Sequence, residues 1–193
     1  GMAVASSTAS AFLRCARRTA RLGWRGELHL SDEHRGWTLV FGDGTSSSVY
    51  RESVCTAPRT DAPCLLVVAF KLRFIGVNPL GHAAFRAQSL LNTPLFAGFP
   101  GFRSKLWLTD ARTGVYRGVY EWDGSASACT YAQTLGRLLR LVSLPGTVRY
   151  HVAEGVTPAQ VMARPSLLGQ EPGRLDESEG WWLLTRVEPA GGR

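Results

Sequence analysis

Aromatic, aliphatic and basic side chains alternate along the segment FRSKLWLTDARTGVYRGVYEWDG, residues 102–124. Tyrosine hydroxyls exchange protons, tryptophan rings stack on flat ligands, and lysine and arginine attract anions. The alternation has a period of two, which predicts two strands joined by the turn ARTG at residues 111–114. Either the basic row forms a ligand site, or it is the solvent-facing side of an ordinary hairpin.

With Thr109 opposite Val115, the hairpin divides into an aromatic side and a basic side. The aromatic side would carry Phe102, Ser104, Leu106, Leu108, Tyr116, Gly118, Tyr120 and Trp122. The basic side would carry Arg103, Lys105, Trp107, Arg117, Val119 and Glu121. In this register Arg103 faces Glu121, and Trp107 faces Arg117. The flanking strands divide in the same way and add Lys71, Arg73, Arg149 and His151 to the basic side.

We expect the aromatic side to meet helices and the basic side to meet water or a partner subunit. Gly118 leaves space within a strand for a ligand or for a large neighbouring side chain. The aromatic residues are also explained by ordinary core packing, and His82 by an exposed position in the first turn of a helix. The cations of the basic side cannot be buried dry with Glu121 alone, because unpaired buried charge is costly.

The elements around the hairpin follow the order β-α-β-β-α-β. LLVVAFKLRF at 65–74 predicts a strand, and NPLGHAAFRAQSLL at 78–91 predicts a helix with Asn78 as N-cap and a proline next. A second helix is predicted at 124–142 and a fourth strand at 147–155. This order predicts an α+β, ferredoxin-like antiparallel sheet with both helices on one face.

The chain is expected to divide into four parts. Residues 1–25 form a basic helix or flexible segment, and 26–62 a β-meander extension with a linker. Residues 63–155 form the ferredoxin-like core, and 156–193 a tail with a late edge strand at 180–188.

The charge and the composition indicate which classes of binding partner and which cell compartment to expect. The net charge is +7, but no nucleic-acid recognition motif accompanies it, which argues against a nucleic-acid partner. No apolar run approaches the roughly 18 residues of a membrane-spanning helix. Four cysteines without paired spacing predict reduced thiols and a cytoplasmic protein. The four histidines are scattered and no acid cluster accompanies them, so no metal site is expected.

The stretch FPGFRSKLWLTD…YRGVYEWDGSASACTYAQTL resembles the dimeric α/β-barrel superfamily. Within it, the stretch is most similar to small bacterial monooxygenase-like proteins related to the antibiotic-biosynthesis monooxygenases. The likeness spans residues 65–155 and is carried by these residues: Pro100, Gly101, Phe102, Lys105, Trp107, Gly118, Tyr120, Trp122, Ala128 and Tyr131.

The resemblance implies a homodimer packed sheet against sheet, with a pocket between the sheet and the two helices of each protomer. Members that use no cofactor bind and deprotonate a phenol or hydroquinone with Trp, Tyr, Asn, His or Arg side chains. The bound anion then reacts with oxygen itself.

Carried onto this chain, the resemblance implies Tyr120, His82 and Asn78 as catalytic residues. The implied ligand contacts are Tyr116, Gly118, Trp122, Tyr150, Asn92, Arg103, Lys105 and Trp107. The ligand would be an aromatic or polycyclic metabolite, and no cofactor is implied. The alternative is a non-catalytic binding or structural module, with an anionic ligand or cross-subunit salt bridges on the basic side.

Overall fold

The computed structural model describes residues 13–14, 16–18, 20–21, 27–58, 61–73, 81–82, 98–169 and 177–191. Its strands are β1 Leu28–Ser31, β2 Thr38–Phe41, β3 Ser46–Cys55, β4 Pro63–Lys71, β5 Phe102–Thr109, β6 Val115–Asp123, β7 Arg149–Glu154 and β8 Leu184–Glu188. The α-helices whose full bounds are described are α1 Ser125–Val142 and α2 Pro158–Ala163. Of the helix predicted at 78–91, Gly81 and His82 are helical, and the rest lies outside the described residues.

The eight strands form one antiparallel sheet in the order β7-β4-β6-β5-β3-β2-β8, and β1 pairs with β3. The first four positions, β7-β4-β6-β5, have the strand order of a ferredoxin-like sheet, in which the last and the second strands of the unit are the outer ones. The ferredoxin-like α+β fold predicted from the sequence is therefore confirmed. No helix in the described ranges is long and apolar enough to cross a membrane.

Strand β4 lies in the middle of this unit, between β6 and β7. Its sequence PCLLVVAFK is a continuous apolar run because both of its faces are covered. Leu66 and Val68 pack on the side of α1, whereas Leu65 and Val67 pack on the other side. We call these the helix side and the opposite side of the sheet.

The N-terminal extension continues the sheet beyond β5. Strands β1 and β2 both pair with β3, β1 along residues 52–55 and β2 along residues 46–48, so the extension is not a simple up-and-down order. In the tail, where the sequence predicts a late strand at 180–188, β8 covers Leu184–Glu188 and pairs with β2 at the end of the sheet.

The register of the β5–β6 hairpin differs from the predicted one. Thr109 lies opposite Tyr116, and a bulge at Arg103 separates the Phe102–Trp122 pair from the Ser104–Glu121 pair. Lys105 consequently lies opposite Tyr120, and Trp107 opposite Gly118. A one-residue slip moves side chains to the other face of a strand. The predicted Arg103–Glu121 and Trp107–Arg117 pairs are therefore wrong, and Lys105 and Trp107 join the aromatic residues.

The opposite side of the sheet is mainly apolar, although the buried Arg117 also lies on it. Leu106, Leu108 and Val119 occupy it with the apolar residues of β2, β3 and β4. Val161 and Met162 of α2, together with Trp181 and Trp182, pack over them. The face that the resemblance would pack against a second copy is thus covered by the chain's own C-terminal segment. The sequence predicted that this side is basic and meets water or a partner subunit, and the structure corrects that prediction.

Candidate functional site

Lys105 is the unusual residue of the helix side, because its side chain is buried among aromatic rings. The residue is 8% exposed. Its Nζ lies 3.3 Å from the centroid of the Trp107 ring and 4.8 Å from that of Tyr120. Burial lowers the pKa of Lys105 well below its usual value, and the nearby Arg51 guanidinium lowers it further. The amine is therefore biased toward its neutral form, in which it can accept a proton.

Strand β3 supplies the second cation of this cluster. Arg51 pairs with Trp107 across the β3–β5 ladder, and its Cζ lies 5.0 Å from the centroid of the Trp107 ring. Ser53, two residues further along β3, accepts a hydrogen bond from Trp107 Nε1 at 3.2 Å. The indole is thus fixed by a hydrogen bond at its edge while the Arg51 and Lys105 side chains lie on its ring.

Tyr120 connects the cluster to helix α1. Its hydroxyl lies 3.0 Å from that of Tyr131, and both residues are buried. Burial, reinforced by Tyr131, raises the pKa of Tyr120 well above its usual value. Burial likewise raises the pKa of Tyr131, and the hydrogen bond with Tyr120 counteracts this in part. Tyr120 therefore stays protonated at neutral pH and acts as a hydrogen-bonding phenol, not as a phenolate.

The space at Gly118 is filled by the Tyr120 ring. A Cβ built on Gly118 would lie 2.6 Å from a ring carbon of Tyr120. The missing side chain allows Tyr120 to lean along its own strand and to reach Lys105. Of the two explanations for Gly118, a large neighbouring side chain is the one that the structure shows.

Trp122 continues the aromatic row but lies deeper than Tyr120. It is 0% exposed and packs on Tyr131, with ring centroids 4.7 Å apart. Its Nε1 has no hydrogen-bond partner among the described residues. Phe102 packs edge-on against its ring at 5.8 Å. These contacts are those of a core residue whose indole N–H has no acceptor in the described part of the chain.

His82 and Tyr116 form a second polar contact on the helix side. His82 is buried rather than exposed, and its Nδ1 lies 2.6 Å from the Tyr116 hydroxyl. The Tyr116 ring stacks on Phe70, with centroids 5.6 Å apart. The structure thus unites two of the predicted residues, although none of the described contacts joins them to Lys105 or Tyr131.

The other predicted residues lie apart from this cluster. Tyr150 is 43% exposed on β7, at the edge of the sheet. Arg103 is the bulge residue of β5, and its Nε is buried without a hydrogen-bond partner among the described residues. Asn78 and Asn92 lie outside the described residues. We define the aromatic–lysine cluster as Arg51, Lys105, Trp107, Tyr120 and Tyr131.

A cavity of about 420 Å³ lies beside strand β7, away from the aromatic–lysine cluster. Cys129 of α1, His151 and Glu154 of β7, and Trp182 are among the residues that line it. The His151 ring stacks on Trp182 with centroids 3.6 Å apart. The walls of the cavity combine a thiol, an imidazole, a carboxylate and an indole, so the cavity offers both stacking and polar contacts to a small molecule.

Sequence patterns indicated Lys105, Trp107 and Tyr120 but gave no reason to select Arg51 or the β7 cavity. Arg51 reaches the cluster because β3 pairs with β5, a contact between strands about fifty residues apart in the chain. The cavity depends on the C-terminal Trp182 returning to β7.

No protein-family model matches the chain, and no curated protein matches it either. An uncharacterised ferredoxin-fold protein of Listeria monocytogenes related to antibiotic biosynthesis monooxygenases is 14% identical, with a TM-score of 0.40; the match covers 59% of this chain and 66% of that one. A heme-degrading enzyme of Listeria monocytogenes is 12% identical, with a TM-score of 0.44 and coverages of 58% and 72%. A monooxygenase-like protein of Listeria innocua is 16% identical, with a TM-score of 0.40 and coverages of 58% and 65%. At these identities the likeness concerns the fold alone.

Proposed function

We propose that the aromatic–lysine cluster binds a phenolic or hydroquinone-type aromatic metabolite and removes a proton from it. The observation that carries this proposal is the buried Lys105 amine held against the Trp107 and Tyr120 rings. A neutral amine in an apolar site is a suitable general base for a phenol, because the two pKa values are brought close together. The proposal agrees with the activity implied by the sequence resemblance.

Each residue of the cluster has a separate role in the proposed reaction. Lys105 accepts the phenol proton, and the resulting ammonium is stabilised by the Trp107 and Tyr120 rings. Arg51 supplies a second positive charge beside the phenolate that forms. The Tyr120–Tyr131 pair offers a protonated hydroxyl that orients the oxygen of the ligand.

Oxidation needs no cofactor if the phenol is the tautomer of a ketone that carries a ring CH2 group. The deprotonated ring gives electrons to dioxygen, and the peroxide that forms loses water. The CH2 group becomes a carbonyl, so one oxygen atom enters the product and the other leaves as water. The four electrons that reduce dioxygen all come from the substrate.

The test is a thermal-shift screen of phenolic and quinone compounds, followed by oxygen consumption with any compound that binds. We expect stabilisation of the wild-type protein and a loss of oxygen uptake of at least tenfold in Lys105→Met. Lys71→Met is the matched control, since Lys71 is the only other lysine of the chain. Binding without oxygen uptake would restrict the function to recognition, and the absence of any stabilising compound would overturn the proposal.

The second candidate function is non-catalytic binding of a small molecule, which the cavity beside β7 favours. A Cys129→Phe substitution would fill part of that cavity without touching the aromatic–lysine cluster. If a ligand loses its stabilising effect in Cys129→Phe but keeps it in Lys105→Met, the β7 cavity is the binding site. The homodimer and the cytoplasmic location expected from the sequence stay predictions.

A further inference from the structure

A cluster of three metal-ligating side chains lies in the N-terminal extension, separate from both sites described above. Glu33 and His34 belong to the turn between β1 and β2, and Glu52 belongs to β3. One ligand atom from each residue can be chosen so that all three lie within 4.8 Å of one another. We propose that Glu33, His34 and Glu52 bind one zinc ion.

The distances between His34 and Glu52 suit a shared metal ion. His34 Nδ1 lies 3.0 Å from Oε1 and 3.1 Å from Oε2 of Glu52, so the imidazole nitrogen faces both oxygens of one carboxylate. Tetrahedral zinc ligands at about 2.0 to 2.2 Å from the metal are about 3.3 to 3.6 Å apart, slightly more than these distances. A small separation of the ring and the carboxylate would therefore admit the ion without rebuilding the turn.

His34 and Glu52 are both held in position by other contacts. The backbone N–H of His34 donates to Glu52 Oε2 at 3.2 Å, and the carboxylate is 8% exposed. The His34 ring packs edge-on against Trp37, with centroids 4.9 Å apart. Such supporting contacts fix the orientation of metal ligands and raise affinity.

The third proposed ligand is the exposed carboxylate of Glu33. The Glu33 side chain is 75% exposed, and its Oε1 lies 3.9 Å from His34 Nε2, the ring nitrogen that does not face Glu52, so Glu33 must turn toward Nδ1 to share the ion. Its freedom to rotate allows it to close over an ion bound by His34 and Glu52, and water would complete the coordination. Two carboxylates beside one neutral imidazole carry a formal charge of −2, which a divalent cation neutralises.

The donor set favours zinc over the hard divalent ions. One imidazole nitrogen with two carboxylates suits zinc and the neighbouring transition metals, whereas calcium and magnesium prefer oxygen ligands alone. The bound ion would join the β1–β2 turn to β3 and so stabilise the extension of the sheet. The predicted absence of a metal site is thereby revised by the proposal.

The test uses the full chain freed of bound metal and titrated with ZnCl2 by calorimetry, with the melting temperature as a second measurement. We expect one zinc ion per chain, a higher melting temperature with zinc, and no such rise with MgCl2 or CaCl2. His34→Ala should weaken zinc binding at least tenfold. His29→Ala is the matched control, because His29 is exposed on β1 and should leave the affinity unchanged.

Glu33→Gln keeps the test decisive if His34→Ala does not fold, since Glu33 is exposed and contributes little to packing. It should weaken zinc binding at least threefold and leave the melting temperature of the metal-free protein unchanged. The absence of zinc binding would overturn the proposal. So would zinc binding that neither His34→Ala nor Glu33→Gln weakens, because the ion would then occupy another site, such as one built from cysteines.

Discussion

Lys105 and Tyr120 lie directly opposite each other on β5 and β6, and Lys105 Nζ is 4.8 Å from the centroid of the Tyr120 ring. Two effects act on the lysine in opposite directions. The Tyr120 and Trp107 rings attract the ammonium form, whereas burial and the neighbouring Arg51 favour the neutral amine. Burial and Arg51 lower the pKa of Lys105 well below its usual value.

This balance predicts how stability depends on pH. In the unfolded chain Lys105 titrates near its ordinary value, about 10.4, and in the folded chain it titrates lower. Between the two pKa values the unfolded state binds more protons, so the Lys105 contribution to stability rises with pH. We expect the free energy of unfolding of Lys105→Met at pH 7 to exceed that of wild type by about 1 to 4 kcal/mol. Lys105→Met should therefore unfold at a higher urea concentration than wild type.

The difference between Lys105→Met and wild type should shrink as the pH approaches 10. Urea unfolding at several pH values measures it, with Lys71→Met as the control whose difference from wild type stays flat. If the free energies of unfolding of wild type and Lys105→Met change with pH in parallel across this range, the folded protein does not depress the pKa of Lys105.

The hydroxyl pair of Tyr120 and Tyr131 predicts strong coupling between two phenylalanine substitutions. Tyr120→Phe leaves the buried Tyr131 hydroxyl without this partner, at a cost of about 1 to 3 kcal/mol. Tyr131→Phe should cost a similar amount. The double substitution removes both polar groups and should cost less than the sum of the two single changes. Additive losses in chemical denaturation would mean that the two hydroxyls do not depend on each other.

Gly118 provides a steric test of the aromatic–lysine cluster. Gly118→Ala would place a Cβ 2.6 Å from the Tyr120 ring, which must then move away from Lys105. We expect a loss of about 1 to 3 kcal/mol, as for an overpacked core, together with loss of any ligand binding at the cluster. Gly136→Ala is the control, because a Cβ at that position in α1 meets nothing within 4 Å. It should stabilise the helix by up to about 1 kcal/mol, so equal losses at both sites would contradict the steric explanation.

The strand order of the core was predictable because the element order β-α-β-β-α-β is typical of one sheet topology. The continuous apolar run of β4 and the apolar stripe of α1 each determine an element and its place in the layers. The bulge at Arg103 was not predictable, because nothing in FRSKLWLT distinguishes a bulged residue from a paired one. The register that leaves the turn, with Thr109 opposite Tyr116, places Lys105 and Trp107 on the helix side, and the bulge separates this register from the Phe102–Trp122 pair.

The candidate site was predictable only where its residues belong to one hairpin. Trp107 and Tyr120 lie in the patterned segment, whereas Arg51 and Ser53 join them from β3 through long-range strand pairing. The Glu33–His34–Glu52 cluster was missed for the same reason, since Glu52 is 18 residues from His34 and approaches it through the β-sheet. The C-terminal cover of the sheet was also missed, because its helical segments are short and lie in a stretch rich in proline and glycine.

Arg117 holds that C-terminal cover to the sheet. Its guanidinium is buried on the opposite side and lies 3.3 Å from Asp43 Oδ2. It also donates to Ser47 Oγ at 2.8 Å and to the backbone carbonyl of Trp181 at 3.2 Å. One side chain therefore connects β6, the β2–β3 hairpin and the segment that carries Trp181 and Trp182.

Arg117→Met should destabilise the protein by about 3 kcal/mol, because Asp43 loses its buried partner and the Trp181 carbonyl loses a donor. The loss should also be local: amide exchange should accelerate most around residues 179–184, where the cover meets the sheet. Arg186→Ala serves as the control, since Arg186 forms an exposed ion pair with Glu188 and such pairs contribute about 0 to 1 kcal/mol. If Arg117→Met exchanges evenly throughout the chain, Arg117 supports the core as a whole and does not specifically anchor the C-terminal segment.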